Sequence, residues 1–343
     1  MFERIAIMGT GSLGTILGAF ISKARQVDLI DVNQAHVDAL NERGAHISGW
    51  VDMTVPVTAL TPDQMEGAYD LYIYMAKQTY NESCLPQMKK HSHENTYVCC
   101  CQNGIPEMAV AEYFGKEHTI GCTVGWGATW LGPGESELTT TMENSSFHIG
   151  TVVGPITPEL LEVKQILELM CPAIESDNLM GDRWTKMVAN CAFSGMSAVL
   201  GCTFGEVLDD PKAVKCAEYI GRECIRVTHA QGYTMEKVAG GALDPEASID
   251  FHNEEERNSK AYPFYYAIYN TANRRSIASM LQDIQKGRPC EIMAINGVLS
   301  ATGKQVGVPT PVCDKVVEIV TGIEAGKYKP CFENLELFTV FEA

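Results

Sequence analysis

The chain has 343 residues, 45% of them apolar and 20% charged, and a formal net charge of −17. That length exceeds one ordinary hydrophobic core and suits two domains. The charge argues against sequence-independent nucleic-acid binding, which needs an excess of Lys and Arg on some face, and no stretch is long and apolar enough to span a bilayer.

The N-terminus, MFERIAIM, carries charges in its first residues and passes straight into a strand pattern, which is not the layout of a secretory signal. A cytoplasmic protein is expected. The 13 cysteines are odd in number and scattered, and Cys99, Cys100 and Cys101 run through an apparent buried strand. Reduced, structural thiols are the expectation. No C-x-x-C pair or His/Cys cluster has metal-ligand spacing, so no metal is expected.

In chain order, short apolar runs alternate with amphipathic stretches from Arg4 to about Asp177, the pattern of a βαβ domain. RIAIM, VDLID, DLYIYMA and TYVCCC read as strands, with AHVDALNERG and EMAVAEYFG as helices between them. The segments TIGCTVGWGATWL, SELTTTM and SFHIGTV lie close together with Gly-rich connections, and are expected to extend the sheet edge as antiparallel strands. From Asp182 helical periodicity dominates, with segments near 182–200, 211–231, 271–286, 290–302 and 311–325. The expected architecture is α/β: a Rossmann-type dinucleotide-binding domain over 1–177, then an all-α catalytic domain over 178–343.

Directly after RIAIM stands GTGSLG, with Gly9, Gly11 and Gly14 in G-x-G-x-x-G spacing, Ser12 and Leu13 among them, and a helix-compatible run behind. Gly9 suits the tight turn, Gly11 the approach of a pyrophosphate, and Gly14 close helix-to-strand packing. The helix N-terminus supplies donors and the positive end of a dipole. Asp31 ends the second strand about 20 residues on, where a carboxylate accepts from ribose hydroxyls and repels a 2′-phosphate. It also reads as a strand-end turn or cap. With no Arg or Lys in the VNQAH that follows, NAD is the expected cofactor and NADP the alternative.

In DRWTKMVANCAFSGMSAVLG, Lys186, Asn190, Ser194 and Ser197 recur at three- and four-residue spacing and form a polar stripe on an otherwise apolar helix. A lysine there is either salt-bridged or chemical. Hydride delivery to a ketone builds negative charge on the carbonyl oxygen, which a positioned ammonium stabilises and protonates. Asn190 and Ser194 are placed to bond the remaining polar groups of such a substrate. Further on, Pro289 reads as opening a helix with Glu291 in its first turn, where a carboxylate also simply complements the helix dipole.

Taken together, GTGSLG, MAKQ with Lys77, QNG with Asn103, GATWLGPGE, the helix of Lys186 and Asn190, SMLQD with Ser279, EIMAING with Glu291 and GVPTP resemble the ketopantoate reductase family along nearly the whole chain. The resemblance implies that Lys186 is the general acid and that Glu291 orients or tunes it. It implies that Asn103 and Ser279 hold the substrate carboxylate or carbonyl, that Asn190 contacts its polar end, and that Lys77 lies near the cofactor. Read without it, Lys77 is a solvated strand-end charge and Asn103 an ordinary turn. A homodimer is a family-level expectation.

Three features depart from the family pattern. Ser194 stands where an asparagine is common, Asp31 where NADPH-preferring members carry a basic or neutral residue, and the stretch from 233 to 275 is longer and more aromatic. Tyr262, Phe264, Tyr265, Tyr266 and Tyr269 in it read as packing or a dimer surface before substrate contact. Arg274 and Arg275 read as solvent-facing charges. The leading expectation is NAD(P)H-dependent reduction of a small 2-oxo acid, 2-dehydropantoate to pantoate. The alternatives are a D-2-hydroxyacid dehydrogenase on the same scaffold and a non-enzymatic nucleotide sensor.

Overall fold

The computed structural model describes residues 1–339. The chain divides into two compact units, Met1–Leu179 and Met180 onward.

Unit 1 is built from strands β1 (Ile5–Met8), β2 (Asp28–Ile30), β3 (Ala45–Gly49), β4 (Met53–Val55), β5 (Thr58–Leu60), β6 (Tyr69–Tyr74), β7 (Ser92–Cys100), β8 (Thr119–Val124), β9 (Ala128–Gly132), β10 (Glu135–Leu138), β11 (Phe147–Thr151) and β12 (Ala173–Glu175). Its helices are α1 (Ser12–Ser22), α2 (Gln34–Arg43), α3 (Asn81–Lys90), α4 (Glu107–Phe114) and α5 (Pro158–Leu167). Eight strands form one sheet in the order β12-β11-β8-β7-β6-β1-β2-β5. The pairs from β5 across to β8 run parallel, and β11 lies antiparallel to β8.

Both faces of this sheet are buried, so its strands read as continuous apolar runs. Alternation along β1 sends Ile5 and Ile7 to one side, with Ile16 and Leu17 of α1 and Leu160 of α5. Ala6 and Met8 go to the other, with Leu85 of α3 and Val110 of α4. The same period of two places Cys99 and Cys101 on the first face and Cys100 on the second.

One expectation about the sheet is overturned. β9 and β10 do not extend its edge; with β3 and β4 they form a separate sheet of order β4-β3-β10-β9. β10 pairs in parallel with β3, Ser136 opposite Ile47. Local sequence does not encode a partner so distant in the chain, whereas the antiparallel β9–β10 hairpin is local.

The second unit carries α6 (Leu179–Ala189), a π-helical turn (Asn190–Ser194), α7 (Gly195–Leu200), α8 (Phe204–Asp209), α9 (Pro211–Ala230), α10 (Pro245–Ile249), α11 (Glu254–Glu256), α12 (Tyr262–Tyr269), α13 (Ser279–Gln285), α14 (Asn296–Val306) and α15 (Pro311–Glu324). Thr203 and Glu206 close a capping box on α8, and Asp210 caps α9 through the N–H groups of Lys212 and Ala213.

Three more expectations change here. The helix expected near 271–286 is a 3₁₀ turn at Ala272–Arg275 followed, after a break, by the shorter α13. Pro289 does not open a helix: α14 begins only at Asn296, and the Cys290 N–H is bonded to the Glu324 carboxylate at 2.8 Å. Glu291 therefore lies in the preceding turn, where its carbonyl accepts from Ile295 N. Ser197 leaves the polar stripe: it is fully buried, donates to the Cys202 carbonyl at 2.6 Å and accepts from Ala278 N at 3.3 Å. In the aromatic stretch, Phe264, Tyr265 and Tyr269 are buried while Tyr262 and Tyr266 are exposed. Arg274 pairs with Asp209 and bonds Asn270.

Candidate active site

The carboxyl ends of β1, β2, β6 and β7 carry the residues singled out in the first unit. Chain order reverses between β1 and β6, and ligands of open parallel sheets bind outside the strand ends at such a point. Gly9 follows β1 with φ +92°, and a Cβ there would stand 2.3 Å from the backbone nitrogen of Ala76. A Cβ at Gly14 would stand 2.3 Å from the Gly9 carbonyl oxygen. The turn and the helix start are thus closed against each other at two positions. At Gly11 a Cβ would meet nothing within 4 Å, so the loop is open on that side.

Helix α1 starts with no side-chain cap and no acidic residue in its first turn. Its leading N–H groups, those of Ser12 and Leu13 among them, have the position and polarity to receive a pyrophosphate. The residues present fit a dinucleotide. Asp31 divides its oxygens: Oδ1 accepts the Asn33 N–H at 2.9 Å, the strand-end turn, and Oδ2 lies 3.5 Å from the Thr10 hydroxyl.

Lys77 follows β6 and Asn103 follows β7; both are half-buried. Their loops are tied together, since Gln78 donates to the Asn103 carbonyl and Gln102 donates to the Ala76 carbonyl at 2.6 Å and to Asn81 at 3.1 Å. These glutamines, which the sequence did not single out, set the rim on which Lys77 and Asn103 sit.

His36, on α2, was also not legible in the sequence. It is fully buried. Its Nδ1 accepts the Gly134 N–H at 2.9 Å, which assigns the proton to Nε2. Nε2 donates to the Thr10 carbonyl at 2.8 Å and lies 3.2 Å from the Thr15 hydroxyl. One imidazole thus braces the glycine loop, α1 and the β9–β10 turn. Burial, opposed by the Asp31 charge and the Thr10 carbonyl, lowers its pKa.

The unfolded chain takes up a proton on this histidine near pH ~6.5, the folded chain only at lower pH. Its stabilisation is therefore complete above ~6.5 and declines as pH falls. Thermal unfolding from pH 7 to 5, compared between the wild type and His36→Gln, should show a steeper loss in the wild type. Parallel curves would remove His36 from the acid response.

In the second unit, Lys186 lies in the last turn of α6, and Asn190 and Ser194 bound the π turn that follows. All three are half-buried. Ser279 opens α13, which packs on the π turn and on α7. Glu291 is buried in the turn that leads to Asn296. Lys186, Asn190 and Ser194 thus lie along one irregular helix, and Ser279, which is exposed, opens a helix packed on it.

The fold also collects three thiols that sequence spacing did not suggest. The sulfurs of Cys99, Cys101 and Cys122 lie within 4.8 Å of one another. Hydrogen bonds with Cys101 and Cys122, together with burial, push the Cys99 thiol well above its ordinary pKa. Among the described residues no helix is long and apolar enough to cross a membrane.

A doubly wound sheet with an open glycine loop, followed by a helical unit bearing a half-buried lysine, is the plan of an NAD(P)-dependent oxidoreductase acting on a CH–OH or keto group, and the comparisons agree. The model of ketopantoate reductase PanE/ApbA matches residues 5–154, and that of its C-terminal domain matches 178–324. The chain belongs to the ketopantoate reductase family.

It is 27% identical to a 2-dehydropantoate 2-reductase of Streptococcus pyogenes serotype M3, over 94% of this chain and 98% of that one. It is 26% identical to the protein of that name from Archaeoglobus fulgidus, over 94% and 99%. Among solved structures it is similar to D-mandelate dehydrogenase in a ternary structure with NADH and anilino(oxo)acetate, with TM-score 0.80, 23% identity and coverage of 94% and 99%. It is also similar to a PanE/ApbA family ketopantoate reductase from Ralstonia eutropha JMP134, with TM-score 0.78, 22% identity and coverage of 94% and 99%.

Proposed function

We propose that the chain reduces the keto group of a small 2-oxo acid with NADH, and that 2-dehydropantoate, reduced to pantoate, is its substrate. The observation that carries this reading is the lysine of α6, half-buried one helical turn before Asn190 on the same irregular helix. The nicotinamide supplies the hydride. Lys186 donates a proton from Nζ to the carbonyl oxygen as charge develops there, which answers the main electrostatic demand of the step. Glu291 orients or tunes Lys186. Asn190 and Ser194 bond the substrate's polar end, and Ser279 and Asn103 hold its carboxylate or carbonyl. On the cofactor side, Gly9 to Gly14 receive the pyrophosphate, Asp31 the ribose, and Lys77 lies near the cofactor. A homodimer is part of the proposal; dimeric is the state named for the ketopantoate reductase of Staphylococcus aureus.

Ser194 supports a second reading, reduction of another branched or aryl 2-oxo acid by a D-2-hydroxyacid dehydrogenase. The shorter side chain withdraws one contact from a distal substrate hydroxyl. NADH and NADPH oxidation by the purified protein across 2-dehydropantoate and branched and aryl 2-oxo acids separates the two. Selectivity for 2-dehydropantoate supports the first, preference for another acid the second, and no turnover with any acid ends both.

The NADH preference rests on Asp31, whose charge repels a 2′-phosphate. In Asp31→Asn the ratio of kcat/KM for NADPH to that for NADH should rise about tenfold. An unchanged ratio would show that Asp31 serves only the Asn33 turn.

A further inference from the structure

We propose that Asn296 is a positioning residue of the same site: it holds the π turn at Asn190–Ser194 open, and so sets where Asn190 and Ser194 present their side chains. The proposal rests on the reading of those two residues as substrate contacts.

A π turn carries one residue more than the α-helical ladder accommodates, so carbonyls around it lose their regular donors, and such turns recur at functional sites. A buried carbonyl without a donor is costly. Here two side chains from outside the helix reach such carbonyls. Asn296 Nδ2 donates to the Cys191 carbonyl at 2.9 Å, and the Tyr269 hydroxyl lies 3.5 Å from the Ala189 carbonyl. The Tyr269 ring also stacks on Phe193, within the turn, with centroids 3.8 Å apart.

Asn296 is itself tightly held. It is fully buried, its carbonyl accepts from the Cys313 thiol at 3.4 Å, and its Nδ2 lies 3.5 Å from the same sulfur. Gly195, the first residue past the π turn, leaves the slot it occupies: a Cβ there would stand 3.0 Å from Asn296 Nδ2 and 3.0 Å from Val316 Cγ1. The Cys191 carbonyl requires the amide nitrogen on its side, which turns Oδ1 into a buried position where it has no hydrogen-bond partner. An aliphatic side chain would relieve that orphaned oxygen but would take this donor from the Cys191 carbonyl. The amide thus serves the π turn at a cost to its own burial.

Lys186 precedes the π turn, on regular α6. Loss of the anchor should therefore displace Asn190 and Ser194 more than Lys186, and raise KM for the 2-oxo acid more than it lowers kcat.

The test uses the full-length protein with the 2-oxo acid it reduces best. Asn296→Leu is expected to raise KM about tenfold, the size of one lost hydrogen bond, with NADH affinity unchanged and kcat changed less than KM. Asn296→Asp can donate to the Cys191 carbonyl only when its carboxyl is protonated, so its KM should approach the wild-type value as pH falls, while that of the leucine variant does not. Tyr269→Phe keeps the stack and loses the hydroxyl, and should shift KM the same way by less. Amide hydrogen exchange across Asn190–Ser194, expected to be faster in Asn296→Leu, reports the anchor without turnover.

A folded leucine variant with wild-type KM overturns the proposal, as does an aspartate variant that follows the leucine variant at every pH. Should the leucine variant not fold, the aspartate and Tyr269 variants decide. If the wild type reduces no 2-oxo acid, the functional reading fails separately, and unchanged exchange in Asn296→Leu or Tyr269→Phe then overturns the anchor.

Discussion

Lys186→Ala is expected to lower kcat by roughly two to four orders of magnitude, the usual worth of general acid catalysis, while NADH affinity stays at the wild-type value. The two parts of the result have separate origins. In the proposed site, nucleotide binding falls to the glycine loop, α1 and Asp31 of the first unit, whereas Lys186 belongs to α6 of the second. Alanine is the best helix former, so α6 loses no intrinsic helical preference. Lys186→Arg should be similarly slow, because a guanidinium does not release its proton near neutral pH and its planar fork does not fill the place of a compact ammonium. Single-turnover reduction with saturating NADH, alongside NADH titration by fluorescence, makes the measurement. Turnover within a few-fold of wild type in either variant would remove Lys186 from the chemistry and return it to a structural ion pair.

The second large effect is a contrast between two glycines of one loop. Gly9→Ala should destabilise the protein by about 2–4 kcal/mol, combining a conformation rarely adopted by residues with a side chain and a hard clash, and should abolish NADH binding. The new Cβ would stand 2.3 Å from Ala76 N and 2.5 Å from Ala76 Cα, atoms of a backbone already tied at Ala76 N to the Met8 carbonyl. Gly11→Ala should leave the thermal midpoint of the nucleotide-free protein unchanged, because its Cβ meets nothing within 4 Å. It should nevertheless raise the Kd for NADH about tenfold or more, since the space it enters is the proposed approach of the pyrophosphate. Thermal unfolding with and without NADH tests both. A Gly11→Ala variant that binds NADH like the wild type would place the dinucleotide elsewhere.

Much of this was legible because it is local. The short apolar runs RIAIM and DLYIYMA, the spacing of Gly9, Gly11 and Gly14, and the break to helical periodicity after LLEVKQILELM each follow from neighbouring residues competing for a backbone conformation. The resemblance to ketopantoate reductases was carried by motifs in register along the chain, and the family matches over 5–154 and 178–324 bear it out.

What local residues cannot state is which distant group answers a backbone or side-chain atom. β10 pairs with β3 rather than extending the main sheet. His36 accepts from Gly134, 98 residues away, and Asn296 donates to a carbonyl 105 residues away. Glu291 lies in a turn before α14, beside Cys290, whose N–H bonds the Glu324 carboxylate 34 residues further along. Ser197, in step with the polar stripe by spacing, is turned inward to Cys202 and Ala278.

The sequence by itself thus determined the layered first unit, the glycine loop and the helix that carries Lys186, since propensity and periodicity act within a few residues. The tertiary structure alone decided the braces: the imidazole behind the loop, the paired glutamines at the rim, and the amide that keeps a helical turn too wide. Each of these exists because a buried polar group must find a partner, and the partner is supplied by packing, whatever its distance along the chain.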